Sequence, residues 1–423
     1  MKMINWIKEL FPICRSITGN GTRKTLSYFE KINPELKRIK FKTGTKVYDW
    51  KIPMEWNIDN AYVSKNNKKI IDFKNNNLHV VSYSHPINQE IDLKKLLKNI
   101  HTDKKRPGAI PYVTSYYQKN WGFCMQENLK KKLKPGKYKV FIDSKFTNGH
   151  LECSHAHIKG KFKKEIFFSS YVCHPSMANN ELSGPVLLNK ILLYVKTNYP
   201  NTKYSYRFFL GPETIGAISY LSKFYKTMKK NTLLGFNLSC VGDENNYSLV
   251  QSRTGDTLAD KALYSAIFHF KNKKVYDFLK RGSDERQYCS PGIDLPVATF
   301  CKTRFGDYPE YHTSDDNLKI VSEKGLMQSF KVMKNIIDAL EVGAVPVYKY
   351  RCEPNLGKRS LYPQISKRGG HNEEIKLRRS LLAYSDGVSN LFEIAIKLKE
   401  PLDRLIKEYK ILLKNKLLNN KYL

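Results

Sequence analysis

The sequence predicts an α/β protein whose main domain is a doubly wound, mostly parallel sheet, and three observations support this fold class. From about residue 160, apolar strand patterns and helical patterns alternate at the spacing of βαβ units. An apolar run at residues 166–171 is followed by a polar loop and by a helical pattern that begins near Pro185. The chain of 423 residues is also too long for one small core, so we expect two or three domains.

The elements follow in chain order. Helical patterns at residues 3–11 and about 22–33 precede short strands at 38–42 and 47–53. From about residue 45 to 158, short β-like pieces alternate with polar turns, which predicts a β-rich unit. Beyond it we predict strands at about 165–172, 204–210, 232–241, 247–251 and 296–301, and helices at about 184–197, 214–228, 256–269 and 322–341.

A third unit follows Pro346. After a loop rich in Lys, Arg and Gly at residues 354–370, helical patterns at 373–384, 388–398 and 402–418 are predicted, and the last two have helix-turn-helix spacing.

The last helix of this tail has an apolar packing face, and its other face mixes Asp403 and Glu408 with lysines. Little more than one strand fits between this helix and Leu423. We therefore predict that the tail packs against the core or another subunit, which leaves a homo-oligomer open, and that nucleic acid is a weak partner.

Composition limits the function classes. The chain carries 73 Lys and Arg against 39 Asp and Glu, a net charge of +34, but the lysines are spread throughout and no Arg-rich block stands out. The eight cysteines form no C-x-x-C pair and are interpreted as reduced residues. Without an apolar stretch of about 18 residues or a signal-peptide pattern, the sequence predicts a cytoplasmic protein with no membrane partner.

Three polar loops after predicted strands hold the candidate site residues, because the carboxyl ends of parallel strands open onto a common crevice. They carry His174, Glu213 and His312. Two histidines with a glutamate suit a metal site that has a general base, although each His could also be an ordinary loop or core residue. A fourth loop carries Asp284 and Arg286, which either pair with each other or recognise a substrate carboxylate.

The sequence around these residues resembles the co-catalytic zinc aminopeptidases. The shared segments are His174 with Asn-Asn-Glu-Leu-Ser-Gly, Pro-Glu213-Thr-Ile-Gly, Asn-Leu-Ser239-Cys-Val-Gly, Ser283-Asp284 and Tyr-His312-Thr. More closely, the whole chain resembles a bacterial aminopeptidase-like family that is associated with surface-polysaccharide biosynthesis. The resemblance implies a zinc-aminopeptidase-like α/β domain at residues 1–45 and 159–345, an inserted β-rich domain at 46–158 and a winged helix-turn-helix-like domain at 350–423.

The resemblance also implies roles for individual residues. His174 and His312 match zinc-binding histidines, and Glu213 matches the general base. Asn180 falls where the peptidases have the carboxylate that bridges two zincs, while Thr214 and Ser239 stand where an acidic residue binds one or the other zinc. Three neutral side chains disfavour two dications, so one zinc held by His174, His312 and Asn180 is expected, with Glu181 as an alternative oxygen donor.

Two functions follow from these assignments. The first is a metal-dependent hydrolase of an amide or peptide-like bond in surface-polysaccharide or amino-sugar metabolism. Its substrate would be a small peptide-like or amino-sugar compound, with Asp284, Arg286 and Tyr311 as the substrate-binding residues. The alternative is a catalytically degenerate peptidase fold that acts as a ligand-sensing or nucleic-acid- or protein-binding regulator.

Overall fold

The computed structural model describes residues 2–362 and 373–423, so part of the predicted loop at 354–370 lies outside the described residues. The helices are α1 Met3–Leu10, α2 Asn20–Ile32, α3 Leu93–Leu97, α4 Glu127–Lys130, α5 Ser183–Asn198, α6 Ile215–Asn231, α7 Leu258–Ile267, α8 Glu285–Tyr288, α9 Glu323–Glu341, α10 Glu373–Ala383, α11 Leu391–Leu398 and α12 Leu402–Lys414. The strands are β1 Lys37–Lys42, β2 Lys46–Val47, β3 Trp50–Lys51, β4 Glu55–Lys65, β5 Lys68–Asp72, β6 Ile87–Asp92, β7 Ile100–His101, β8 Phe123–Cys124, β9 Lys137–Thr147, β10 His150–Ile158, β11 Phe162–Tyr171, β12 Tyr204–Gly211, β13 Thr232–Leu238, β14 Tyr247–Val250, β15 Lys273–Tyr276, β16 Val297–Cys301, β17 Val345–Tyr348 and β18 Leu418–Lys421.

An eight-stranded mixed sheet organises the α/β part of the chain, in the order β1-β10-β12-β11-β13-β16-β14-β15. The four central strands, β12, β11, β13 and β16, are parallel to their neighbours within this group. Antiparallel pairs join β1 to β10, β10 to β12, and β14 to β16. The predicted fold class, an α/β sheet that is parallel at its centre, is confirmed.

Helices cover both faces of this sheet because consecutive residues of a strand point to opposite sides. In β11, Phe168 packs into the cluster that contains α5 and α9, whereas Phe167 packs into the cluster on the α6 side. Both rings are fully buried. A strand buried on both faces is rich in apolar residues, which explains the apolar run in the sequence, and the buried Ser169 and Ser170 within it are hydrogen-bonded.

A second sheet lies in the region predicted to be a β-rich insertion, with the strand order β5-β4-β9-β6 and its own apolar cluster. The strand β10 falls within the predicted range 46–158, yet it pairs with β1 and β12 of the large sheet. We therefore propose that the insertion ends near residue 148. The predicted boundaries of the other two domains remain predictions.

The tail packs against the α/β core. Its helices α10, α11 and α12 contribute to the same apolar cluster as α5, α7 and α9, and β18 pairs with β17 in a two-stranded sheet. One side chain of α12 differs from the prediction: Glu408 is buried and forms an ion pair of 2.9 Å with Arg378 of α10. Among the helices of the described residues, none has the length and apolarity that a membrane crossing requires.

Candidate functional site

A cavity of about 470 Å³ lies where the central strands end, as expected for an open α/β sheet. The residues after β11 and β12 supply His174 and Glu213, the short helix α8 supplies Arg286, and the loop between β16 and α9 supplies His312. The two histidine rings lie 5.3 Å apart between their centroids, and Glu213 Oε2 is 3.8 Å from His174 Nε2. The structure therefore brings together the two histidines and the glutamate that the sequence singled out.

His174 is held by Glu181, which lies on a π-helical turn at Ala178–Leu182 directly before α5. The His174 Nδ1 atom is 3.0 Å from Glu181 Oε2, and this contact leaves Nε2 facing Glu213. Burial by itself lowers the pKa of His174, but the hydrogen bond with Glu181 and the charge of Glu213 outweigh it and raise the pKa above its usual value.

Because Glu181 binds His174 Nδ1, it is poorly placed to act as the alternative oxygen ligand of a zinc ion. Its other oxygen, Oε1, accepts a hydrogen bond of 2.7 Å from the Cys173 backbone N–H and lies 3.4 Å from Nε of the fully buried Arg15. Arg15 Nε also donates to the His174 carbonyl at 2.9 Å. A carboxylate that fixes a histidine in this way is the usual outer support of a metal ligand.

Among the described residues, the one group of three His, Cys, Asp or Glu side chains close enough to share a metal is Cys173, His174 and Glu181. We do not interpret it as a metal site, because both Glu181 oxygens already have partners. Burial also raises the pKa of the Cys173 thiol well above its usual value, which disfavours the thiolate that a metal requires.

His312 lines the cavity, and one of its ring nitrogens is not hydrogen-bonded within the described part of the chain. Its Nε2 atom is buried and has no hydrogen-bond partner among the described residues. The ring stacks on Tyr311 at 3.9 Å between centroids, and Tyr112 contacts it edge-on at 5.2 Å. Burial and the nearby His174 lower the pKa of His312 to about 3, so the imidazole is neutral at pH 7 and can act as a ligand.

The side-chain amide oxygen of Asn180 is a second buried polar atom without a hydrogen-bond partner among the described residues. The Nδ2 atom donates to Tyr171 Oη at 2.6 Å, whereas the buried Oδ1 atom lacks a partner within the described part of the chain. The Asp316 carboxylate fixes the backbone here by accepting N–H groups of three successive residues, including Asn180 at 3.0 Å. A buried polar atom without a partner is costly, so His312 Nε2 and Asn180 Oδ1 are atoms that a ligand could satisfy.

The positions that would help to hold a second ion carry the neutral side chains of Ser239 and Thr214. Ser239 Oγ lies 2.7 Å from Tyr171 Oη, the same hydroxyl that accepts the hydrogen bond from Asn180. The Thr214 hydroxyl has a different partner, since it accepts a hydrogen bond of 3.0 Å from Arg286 Nη2. These contacts replace the anionic oxygens that a two-metal cluster needs.

Glu213 lines the cavity with about one-fifth of its side chain exposed. Burial raises the pKa of its carboxyl, and the positive charges of His174 and Arg286 offset this effect only in part. A carboxyl with a raised pKa beside a solvent-accessible cavity is suited to accept and return a proton.

Asp284 and Arg286 converge on Thr214, the residue that follows Glu213. The Thr214 backbone N–H donates to Asp284 Oδ1 at 2.7 Å, and Arg286 Nη2 binds the Thr214 hydroxyl. Thr214 has a φ of 63°, a left-handed conformation that a β-branched residue rarely adopts. The two side chains therefore do not pair with each other; they hold the Glu213 turn in shape.

Asp284 and Arg286 each keep a part of the side chain that a ligand could contact. Asp284 Oδ2 is buried without a partner among the described residues, and burial together with the Glu213 carboxylate raises the pKa of Asp284 well above its usual value. Arg286 lines the cavity directly, whereas Tyr311 lies behind His312, where its ring stacks.

The inserted unit completes the cavity, which sequence reasoning did not foresee. Its Tyr112 backbone N–H donates to the His312 carbonyl at 2.8 Å, and Pro111 forms a β-bridge with Thr313. An ion pair between Arg106 and Asp315 adds to the attachment. The signal available in the sequence was the aromatic segment at residues 111–117.

Known proteins resemble the chain over nearly its whole length. A relative from Clostridium acetobutylicum is 41% identical over 402 residues, which cover 94% of this chain and 91% of the relative. Its name assigns it to polysaccharide biosynthesis and gives it an aminopeptidase-like domain. A crystal structure of a protein named as a peptidase, from the same organism, has a TM-score of 0.89 at 40% identity and covers 99% of this chain and 95% of its own.

More distant structures share the fold alone. BSAP, a zinc aminopeptidase from Bacillus subtilis, has a TM-score of 0.59 at 14% identity, covering 80% of this chain and 94% of its own. A peptidase M28 precursor from Shewanella amazonensis has a TM-score of 0.55 at 10% identity, covering 78% and 91%. The tail, residues 345–420, matches a winged helix-turn-helix model. With residues 4–343 matching its model, the chain belongs to the family described as Domain of unknown function (DUF4910).

Proposed function

We propose that the protein is a metal-dependent hydrolase of an amide or peptide-like bond, and that it acts in surface-polysaccharide or amino-sugar metabolism. One observation carries the proposal: His174, Glu213 and His312 meet in one cavity, and His312 Nε2 is buried without a partner among the described residues. The association with polysaccharides comes from the name of the 41% identical relative.

The residues present fit one metal ion. His174 Nε2, His312 Nε2 and Asn180 Oδ1 are the atoms that would hold it, since Glu181 already occupies the other nitrogen of His174. Nitrogen and amide oxygen donors suit zinc, although three neutral ligands bind it less tightly than a set that includes a carboxylate. When bound, zinc would supply Lewis-acid polarisation of a carbonyl group and of water.

The chain's own residues supply the remaining steps. Glu213 accepts a proton from the attacking water and returns it to the leaving nitrogen, and its raised pKa keeps both directions accessible. Asp284 and Arg286 keep Glu213 oriented by fixing Thr214. Arg286 also lines the cavity, where it can contact a polar group of the substrate.

Metal analysis and one substitution test this proposal. Zinc-replete protein should hold about one zinc per chain, and His312→Ala should lose it. Glu213→Gln preserves the shape of the side chain but cannot accept a proton. Hydrolysis of aminoacyl and N-acyl amino-sugar amides should therefore fall by at least about a hundredfold. Glu353→Gln, an exposed carboxylate in the tail, is the matched control and should keep full activity.

Less than about a tenth of an equivalent of zinc after zinc-replete purification would contradict a one-zinc site, given the affinity expected of a structured metal site. No turnover of any of these amides would favour the second candidate function, a peptidase fold that senses a ligand while its tail binds nucleic acid or protein. One observation favours that alternative: the burial of Glu408 leaves Arg404, Lys407, Lys410 and Lys414 on the exposed face of α12.

A further inference from the structure

Two exposed aromatic rings line the cavity that contains Glu213. Trp50 is 40% exposed and Tyr117 is 51% exposed. Their centroids are 5.8 Å apart, with an angle of 62° between the ring planes. Large aromatic side chains on a ligand cavity that stay in contact with water are informative, because folding alone favours their burial.

Both rings sit on segments that the rest of the fold holds in place. Trp50 lies in the β2–β3 hairpin, opposite the buried Val47. Tyr117 follows Tyr116, whose hydroxyl is hydrogen-bonded to that of Tyr112 at 3.0 Å. Tyr117 itself has a φ of 65°, an uncommon conformation for a bulky residue. The pair is thus a preformed surface, built from two segments of the predicted insertion, the β2–β3 hairpin and the segment at residues 111–117.

The residues that line the cavity carry few full charges, although the chain has a net charge of +34. Apart from the two histidines, the charged side chains of the lining are Glu213 and Arg286, and Arg286 Nε and Nη2 already bind Ser283 and Thr214. Thr114, Tyr116 and Gln287 add polar groups without charge. Hydroxyl and amide groups in the lining match a ligand that carries several hydroxyls and no charge.

A pyranose ring is a neutral ligand that has a flat C–H face and hydroxyl groups at its edge. Aromatic rings provide the flat apolar surface for such a face, and the polar groups of the cavity lining provide hydrogen bonds. We propose that Trp50 and Tyr117 form a subsite for a neutral pyranose. The inference rests on the proposed function, because it makes the substrate a sugar-bearing amide whose scissile bond faces Glu213. Both residues then determine specificity and take no part in the chemistry.

The test is a binding measurement that does not depend on turnover. Methyl β-pyranosides of glucose and of N-acetylglucosamine are titrated into the full chain and into its Glu213→Gln variant. Binding is followed by tryptophan fluorescence and by saturation transfer in NMR. We expect binding to both proteins, with affinity about tenfold weaker in Trp50→Ala and in Tyr117→Ala, a difference of about 1.4 kcal/mol for each ring. Tyr48→Ala is the control, since Tyr48 lies in the same hairpin with 50% exposure and does not line the cavity.

Each outcome separates the subsite from the hydrolase. Pyranoside binding that needs Tyr117 and Trp50, in a protein that hydrolyses no amide, supports the subsite and contradicts the proposed activity. The opposite result would be that the protein binds no pyranoside and that Trp50→Ala hydrolyses aminoacyl amides with an unchanged kcat/KM. This result would overturn the proposed pyranose subsite and leave the proposed hydrolase activity intact. Cyclohexanemethanol binding as tightly as the pyranosides would also overturn the subsite, because a hydrophobic pocket would then explain the rings. If Trp50→Ala fails to fold, Tyr117→Ala gives the same readout.

Discussion

Glu181→Gln should destabilise the protein strongly, because it removes the counter-charge of a buried arginine. The side chains of Arg15 and Glu181 are both fully buried, with 3.4 Å between Nε and Oε1. Gln keeps the size of Glu and can still accept one hydrogen bond, but the Arg15 guanidinium would remain inside the protein without an anion. Breaking a buried pair in this way costs about 3–5 kcal/mol of unfolding free energy.

A double-mutant cycle isolates the pair. Arg15→Met alone leaves the buried Glu181 carboxylate without its counter-charge, although its hydrogen bonds with Cys173 and His174 remain, so this variant should also be destabilised. The double variant Arg15→Met with Glu181→Gln leaves no unpaired charge. The effects of the two changes should therefore fall short of additivity by about 2 kcal/mol. Zinc affinity provides a second readout: it should fall by about 10–100-fold in Glu181→Gln, because His174 loses the anion that orients its ring.

The assay is urea unfolding of the metal-free protein followed by tryptophan fluorescence, with a chelator titration for zinc. The control is Glu353→Gln, whose exposed ion pair with Arg379 should be worth less than about 1 kcal/mol. Effects of Arg15→Met and Glu181→Gln that add to within about 0.5 kcal/mol would refute the idea that these charges depend on each other.

Three further predictions concern other parts of the chain. Asn180→Asp adds an anionic oxygen to the proposed ligand set, so zinc should bind at least about tenfold more tightly in chelator competition; an unchanged affinity would mean that Asn180 faces elsewhere. Burial lowers the pKa of Lys302 from 10.5 to about 8, so between pH 8 and 10.5 the unfolded chain holds a proton that the folded chain has released. The contribution of Lys302, measured as the difference in urea unfolding free energy between the wild type and Lys302→Met, should thus become more favourable with pH in this window by about 1 kcal/mol per pH unit. The tail should bind duplex DNA only weakly and with strong salt dependence; sequence-specific, sub-micromolar binding near physiological salt that is lost in Lys407→Glu with Lys410→Glu would contradict this.

The central strands of the fold could be predicted from the sequence because they are local patterns. A strand buried on both faces is rich in apolar residues, and both β11 and β12 contain such a run. The edge strand β15 was missed because its residues are mostly exposed and carry no such pattern. Its existence depends on pairing with β14. Similarly, β10 looked like part of the β-rich unit, since a strand's own residues do not specify which sheet it joins.

The sequence by itself determined which polar residues follow the central strands, and so it identified His174, Glu213 and His312 as the candidates. Tertiary structure decided the remaining features, which depend on partners far away in the chain. Arg15 reaches His174 across 159 residues, and Glu408 pairs with Arg378 across 30. Glu408 was predicted to lie on the exposed face because helical periodicity specifies a direction but not what another helix places there. Charges and hydrogen bonds act through space, so only the folded chain shows which polar groups are satisfied and which are left for a ligand.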